Sequence, residues 1–464
     1  MSSVHFSGIG GTAMIAGARL AVEAGWDVRG SDTPLYPPTS DMVKGLGVPV
    51  SFSYEAANLD WRPDVVIIGN ALSRGNPEVE AALSRRMRYV SLPEWLKENV
   101  LRTRRPVAIC GTHGKTTTTA LTSHILDKGI PDVGYLIGGE ALGFTHSARL
   151  GAAGAPFVIE GDEYDTAFFD KRAKFLHYLP DIAVVTSIEF DHGDIYRDLE
   201  EIETAFQRML RQVPREGHVF LCADNHARSL NSHAYSNVET YGFAENANWR
   251  GIERTLDKNT SVLDVRHDGA PWGTVPIVMA GRHNLSNLLV AIATASRLGM
   301  SVDAIIEAAG TFPGVRRRME VFLEHNGVIF VDDFAHHPTA IRETIAAAQS
   351  RWPGRRIRAI FEPRSNTTVT KRFQRELEQA FRAAGDVLLG PIHRKDAIPD
   401  EERLDAHALA TALQNAGVPA QNFADVSAIV TEITDTMRAG DVVLIMSNGA
   451  FGGIYAQFKE RLTR

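Results

Sequence analysis

The sequence predicts an α/β protein of three domains, each built on a mostly parallel sheet. Length is the first reason: 464 residues is about three domains at ~150 residues each. The second is a recurring order, in which a short apolar β-rich run is followed by a cluster of Gly, Ser, Thr or Asp and then by a helical pattern. That is the order of a βαβ unit. The third is that the stretches 101–106 and 312–314, each containing a proline, interrupt this order, so the domains are read as residues 1–104, 105–314 and 315–464.

In the first block a strand over 4–7 runs into Gly8-Ile9-Gly10-Gly11, and an amphipathic helix follows to residue 24, where Gly25 ends it. Strands over 27–29 and 64–68 lead to Gly30-Ser31-Asp32 and to Gly69-Asn70. The stretch 101–106, basic and closed by Pro106, reads as a linker. The second block opens with a strand over 107–110, then Gly111-Thr112-His113-Gly114-Lys115-Thr116. Its helix carries Leu121, Ile125 and Leu126 on one face and stops at Gly129, with Pro131 beyond. Strands recur at 157–159 and 182–187, and a helix over 284–298 is closed by Gly299. The third block has strands at 328–331, 357–361, 387–389 and 442–446, each giving way to a polar or glycine-containing loop. Ligands gather at such carboxyl ends in open parallel sheets.

Composition narrows the function classes. With 44% hydrophobic and 23% charged residues the chain is an ordinary globular one. A net charge of −7 argues against nucleic acid as a partner. No apolar run of ~18 residues exists, so no membrane span is expected, and the start Met1-Ser2-Ser3-Val4-His5 lacks the pattern of a secretion signal. Cys110 and Cys222 are too few for a disulfide framework, which points to the cytoplasm; Cys110 reads as core. Monomer and homodimer both stay open.

The most informative stretch is residues 111–116. Its glycines let backbone N–H groups turn onto phosphate oxygens, and the helix that follows adds the positive end of its dipole. Lys115 would reach the terminal phosphates and Thr116 would hold Mg²⁺. The loop is shorter than the general phosphate-loop pattern, with Ile109 where the first glycine usually stands. The glycine loop at residues 8–11 is close to a dinucleotide fingerprint, with Ala13 in the third glycine's place and Asp32 at the end of the next strand. By itself it suits NAD, FAD or the diphosphate of a UDP-sugar equally well.

Glu160, Asp162, Glu163 and Asp165 put four carboxylates within six residues, which repel unless they face water, a metal or a cation. A second acidic group, Glu189 to Asp194 with His192 inside it, follows another strand. Carboxylates suit Mg²⁺; a histidine is less usual there. Asn284 reads as a helix N-cap, Pro338 as the first turn of a helix, and Arg316 to Arg318 as either a solvated linker or a phosphate clamp.

In their order, Gly8-Ile9-Gly10-Gly11, the run from Gly111 to Thr118, Glu160 with Asp162 and Glu163, Asp191-His192, Gly281 to Asn287, Arg317-Arg318, and Asp332-Asp333 with His336-His337-Pro338 resemble the Mur ligases over essentially the whole chain. The stretches Glu163 to Arg172, Phe361 to Thr367 and Ser447 to Gly453 resemble the branch whose acceptor is a recycled tripeptide, L-Ala-γ-D-Glu-meso-diaminopimelate. The branch that takes L-alanine is the alternative. Gly161 stands where both branches usually have alanine. Later members of the family carry a carbamylated lysine beyond the metal histidine; here no lysine lies between His192 and Lys258.

The resemblance implies a Rossmann-like first domain, a central domain of the phosphate-loop ATPase kind and a Rossmann-like third. It implies an ATP-dependent amide-bond ligase of peptidoglycan recycling that activates UDP-N-acetylmuramate as an acyl phosphate. Lys115 and His192 would be catalytic. ATP would be held by Gly111, Thr112, His113, Gly114, Lys115, Thr116, Thr117, His283, Asn287, Arg318, Asp332 and Asp333, and Mg²⁺ by Thr116, Glu160 and His192. Gly8, Gly10, Gly11, Asp32, Asn70 and Ser73 would hold the UDP-sugar, and Arg364, Asn366, Ser447 and Asn448 the murein tripeptide.

Overall fold

Strand β1 (Ser3–Ser7) is the centre of a five-stranded sheet whose other members are β2 (Asp27–Ser31), β3 (Val50–Ser51), β4 (Val65–Ile68) and β5 (Tyr89–Val90). The order is β3-β2-β1-β4-β5 and every neighbour is parallel. Strand order reverses at β1, so the carboxyl ends of β2, β1 and β4 flank the crevice where such sheets take ligands. The helix Thr12–Glu23 ends as expected: Gly25 takes φ +79° and the Trp26 N–H returns to the Ala21 carbonyl at 3.0 Å. The computed structural model describes residues 1–36, 39–191, 193, 195–256 and 261–463.

The second sheet is built on β6 (Arg105–Cys110), with β7 (Gly134–Leu136), β8 (Ala148–Arg149), β9 (Pro156–Gly161), β12 (Ile182–Val185), β13 (His218–Cys222), β14 (Asn237–Gly242), β15 (Trp249–Thr255), β16 (Ser261–His267) and β17 (Ala270–Pro276). Its order is β17-β16-β15-β14-β13-β12-β6-β9-β7-β8. β6 lies between β9 and β12, parallel to both, and its last four residues are essentially buried. That includes Cys110, whose thiol burial pushes upward. The hairpin β10 (Asp165–Ala167) and β11 (Asp170–Ala173) stands apart as a two-stranded sheet. Its tip packs Phe169 edge-on to Tyr89, with ring centres 5.0 Å apart.

The third sheet contains β18 (Glu320–His325), β19 (Val328–Asp333), β20 (Ile357–Phe361), β21 (Asp386–Leu389), β22 (Ala420–Asn422) and β23 (Val442–Met446), in the order β18-β19-β23-β20-β21-β22. All pairs but β18–β19 are parallel. Residues alternate between faces. Val442, Leu444 and Met446 join one core with Phe361 and Ile345, while Val443 and Ile445 join the other with Phe330 and Phe458. A strand buried on both faces must be apolar throughout, and the run Val442 to Met446 is. Each fully buried phenylalanine here contributes about 2–3 kcal/mol.

By compactness the chain divides into two units. One comprises residues 1–190, 198–278 and 286–314; the other comprises 191–197, 279–285 and 315–464. Among the described residues no helix is long and apolar enough to cross a membrane.

Several expectations are corrected. The stretch 101–106 is not a loose linker: Leu101 is buried, a 3-10 turn covers Leu101–Thr103, and the strand already begins at Arg105. Arg104 pins it by donating to the carbonyls of Leu150 at 2.7 Å and Gly151 at 2.8 Å. The helix expected from residue 284 starts two residues earlier, as Arg282–Arg297. Asn284 is therefore inside the first turn, not the N-cap, and its amide donates to the Ala280 carbonyl at 2.8 Å. The antiparallel additions β8, β10, β11, β15 to β17 and β18 were not anticipated. The segments of β15 to β17 carry Arg250, Glu253, Arg254, Asp264 and Arg266, so one half-buried face supplies little apolar signal.

Candidate functional site

Two glycine turns stand at the carboxyl ends of central strands, one in each of the first two sheets. The second is the more elaborate. Gly111 takes φ +131° and Gly114 φ +80°. Space demands glycine as well as conformation: a Cβ on Gly111 would lie 2.2 Å from Thr186 Oγ1, and one on Gly114 2.6 Å from Asn287 Oδ1. Helix Lys115–Gly129 begins at once, so the N–H groups of its first turn lack carbonyl partners within the helix. The N–H groups of Thr112 and His113 are used differently from the expectation, donating to Ser187 O and Ser187 Oγ, both at 2.9 Å. Donors that this turn could offer an anion would thus be those at the helix start. Thr112 also exchanges bonds with the backbone of Glu189, and His113 Nε2 lies 3.2 Å from Glu189 Oε2.

Lys115 is only 9% exposed. Its ammonium donates to Gly111 O at 2.7 Å and to Glu163 Oε2 at 2.8 Å, with Asp162 Oδ1 at 3.9 Å. Burial pushes its pKa down, but the carboxylates of Glu163, Asp162 and Glu160 outweigh that and hold it charged. Glu163, 2% exposed, is the partner the sequence did not single out; its place in the acidic run was the available signal. Glu160 Oε1 accepts from Thr116 Oγ1 at 3.0 Å, and Oε2 from Gly138 N at 2.9 Å. Burial, reinforced by the Asp162 carboxylate, raises the Glu160 pKa. Three carboxylates around one ammonium leave an excess of negative charge. A carboxylate and a hydroxyl oxygen side by side suit a hard, oxygen-seeking cation, so the donor set fits Mg²⁺. His192 lies outside the described residues. Its neighbour Asp191 accepts from Thr367 Oγ1 at 2.9 Å.

The first turn is simpler. Gly8 and Ile9 donate to Ser31 O at 2.9 and 3.0 Å, and Gly10 N donates to Asp32 Oδ2 at 2.6 Å. Asp32 Oδ1 accepts from Tyr54 OH at 3.0 Å. Gly11 precedes helix Thr12–Glu23 as its N-cap. Asn70 and Ser73 are exposed, and Asn70 Nδ2 donates to Asp165 Oδ1 at 3.2 Å.

The third sheet gathers the remaining candidates at the carboxyl ends of β19, β23 and β20. Asp332 accepts from Tyr455 OH at 2.7 Å and from Arg317 Nε at 3.2 Å. Burial raises its pKa. Asp333 accepts from Ala335 N in its own turn and from Met319 N just before β18, each at 2.8 Å. Arg317, read in the sequence only as part of the run Arg316 to Arg318, also donates to the carbonyls of Ser447 and Gly449 at 2.7 and 2.8 Å. Arg318 lies over the Phe334 ring at 5.0 Å. Ser447 is fully buried with its hydroxyl bonded to Glu362. Arg364 reaches Glu362 Oε1 at 3.4 Å and His393 Nδ1 at 3.3 Å. Asn366 is exposed. Asn448 Oδ1 is buried with no hydrogen-bond partner among the described residues. His283 faces Glu343 at 3.8 Å.

The site residues therefore fall in two groups. Gly111 to Thr117, Glu160 and Asn287 belong to the first unit; His283, Arg318, Asp332, Asp333 and the residues from Arg364 to Asn448 belong to the second.

Comparison with known proteins covers all three sheets. Residues 3–104 match the Mur ligase family catalytic domain, 109–295 the Mur ligase middle domain and 317–449 the Mur ligase glutamate ligase domain. The chain is 40% identical to the UDP-N-acetylmuramate–L-alanyl-γ-D-glutamyl-meso-2,6-diaminoheptandioate ligase of Escherichia coli K12, over 99% of this chain and 98% of that one. It is 34% identical to the UDP-N-acetylmuramate–L-alanine ligase of Endomicrobium trichonymphae, over 96% of each. A crystal structure of a murein peptide ligase from Psychrobacter arcticus superposes with a TM-score of 0.74 at 35% identity, covering 100% of this chain and 99% of that one.

Proposed function

The chain belongs to the Mur ligase family, and from that premise we propose that it joins UDP-N-acetylmuramate to the tripeptide L-Ala-γ-D-Glu-meso-diaminopimelate with cleavage of ATP, a step of peptidoglycan recycling. It is an ATP-dependent ligase that forms an amide bond. The observation that carries the choice of acceptor is the full-length match to the E. coli peptide ligase at 40% identity, against 34% for the alanine ligase compared above.

Residues 1–104 are the UDP-sugar domain in this reading, 105–314 the ATP domain and 315–464 the peptide domain. The lactoyl carboxylate of the sugar attacks the γ-phosphorus of ATP, ADP departs, and an acyl phosphate forms. Two anions meet in that step. Lys115 balances their charge, and the helix start behind it orients the phosphates. Thr116 and Glu160, with His192, would hold Mg²⁺, which when bound neutralises phosphate oxygens. The acceptor amine then attacks the acyl carbon, and phosphate leaves with the bonding electrons and takes up the proton that the nitrogen gives up.

Gly10, Gly11 and Asp32 hold the UDP diphosphate and ribose. In the peptide domain the Ser447 hydroxyl is spent on Glu362, so Arg364 and Asn448 carry recognition. The buried Asn448 oxygen offers an acceptor for a peptide N–H. The enzyme works in the cytoplasm, where its two nucleotide substrates are.

Initial rates of ADP release with the tripeptide and with L-alanine as sole acceptors test the reading. The tripeptide is expected to give kcat/KM at least ~100-fold higher, since an acceptor that leaves polar groups of the site unpaired is strongly disfavoured. A preference for L-alanine would transfer the assignment to the alanine ligases.

A further inference from the structure

The first sheet holds a charged group that the proposed chemistry does not use. Glu78 sits at the start of helix Pro77–Ser84 and is fully buried. Its Oε2 accepts from Ser7 Oγ at 2.5 Å and Ser31 Oγ at 2.6 Å, and its Oε1 from Asn58 Nδ2 at 2.6 Å. His5 Nε2 lies 3.4 Å from Oε2. Withdrawing a carboxylate from water costs several kcal/mol, and well-packed hydrocarbon in such a place is often no less stable. A carboxylate can do one thing hydrocarbon cannot: bind two hydroxyls on one oxygen at fixed positions.

Those hydroxyls belong to the last residues of β1 and β2, which are paired in register, Ser7 with Ser31. Gly8 follows the first and Asp32 the second. The Ser31 carbonyl accepts from Gly8 N and Ile9 N, and the Ser7 carbonyl accepts from Gly69 N at 2.9 Å. Asp32 then closes the circuit by accepting from Gly10 N. Tolerance there is small: a Cβ on Gly10 would lie 2.8 Å from Asp32 Oδ2. Both sides of the glycine turn thus hang from serines tied to one oxygen of Glu78. Burial pushes the Glu78 pKa up, but the hydrogen bonds from His5, Ser31, Ser7 and Asn58 together bring it below the ordinary range. It therefore stays an acceptor at neutral pH.

We propose that Glu78 is a positioning residue for the sugar-nucleotide site, setting through Ser7 and Ser31 the spacing between the glycine turn and Asp32 and hence the affinity for a nucleoside diphosphate. This rests on the reading of residues 1–104 as the UDP-sugar domain. The bland alternative is that Glu78 only stabilises the sheet, which would move the melting temperature and leave affinity alone.

Calorimetric titration of UDP into the full-length protein separates the two. Glu78→Gln keeps the volume but weakens the ties, and the double variant Ser7→Ala/Ser31→Ala removes them while keeping Glu78. Both are expected to bind UDP at least about tenfold more weakly, a loss of about 1.4 kcal/mol. KM for UDP-N-acetylmuramate should rise in parallel, with KM for ATP within about twofold of wild type. If the wild-type protein does not bind UDP, the domain reading itself fails. If it does, and folded variants bind equally well with only a lowered melting temperature, the role of Glu78 is overturned and the domain reading stands. Should Glu78→Gln not fold, the serine variant decides alone.

Discussion

The glycine turns at residues 8–11 and 111–114 share one plan, a central parallel strand, a tight turn and a helix start, yet their undersides are charged differently. Under the first lies a buried carboxylate, Glu78, braced by hydroxyls and an amide. Beside the second lies a buried ammonium, Lys115, faced by Glu163, Asp162 and Glu160. Backbone donors and a helix dipole are enough to hold a diphosphate that does not react. A phosphoryl group in transfer develops charge that must be met by fixed cations. In the proposed reading the contrast separates a turn that positions from a turn that also catalyses.

The largest break in that contrast comes from Lys115→Ala. Turnover should fall by at least ~10³-fold, as expected when a fixed charge that meets the reacting phosphate is lost. The variant also strands the buried Glu163 carboxylate, a cost of about 3–5 kcal/mol for breaking such a pair. Adding Glu163→Gln to Lys115→Met should therefore recover much of the melting temperature and none of the turnover. Recovery of both would move Lys115 from catalysis to architecture.

Glu160→Ala sharpens the comparison at the metal. Turnover should drop ~10²-fold or more, and the Mg²⁺ concentration needed for half-maximal rate should climb; an unchanged Mg²⁺ titration removes Glu160 from the ligand set. The raised pKa of Glu160 adds a pH signature. The folded state keeps this proton above the ordinary glutamate range, so the stability it confers is full below that range and is lost as pH rises through the folded value. Mg²⁺ should accordingly raise the melting temperature more at pH 8 than at pH 5.

The smallest effect belongs to the first turn. Asp32→Ala frees Gly10 N and Tyr54 OH. It should raise KM for UDP-N-acetylmuramate about tenfold, the loss of one or two charge-assisted hydrogen bonds. KM for ATP should hold. Equal changes in both constants would mean that the two turns do not act separately.

Much of this was legible because local rules and global fold agree. The apolar run Val442 to Met446 had to be a strand buried on both faces, Gly25 had to end a helix, and Gly111 to Thr116 had to join a strand to a helix. Other features left little local trace. The meander β15 to β17 has a half-polar pattern that periodicity does not separate from a loop. Asn284 has the chemistry of an N-cap, but the helix starts before it. Ser447 looked available in sequence, and only the packing of Glu362 against it uses up its hydroxyl.

Residue order by itself determined the α/β class and the family and singled out the lysine proposed to meet phosphate, since these follow from short-range patterns of glycine, apolar and charged residues. Tertiary structure alone decided which charges face each other. Glu163 reaches Lys115 across 48 positions and Glu78 reaches Ser7 across 71. Such pairings arise when parallel strands bring distant loops to one sheet edge, where a buried charge must find a partner or be expelled.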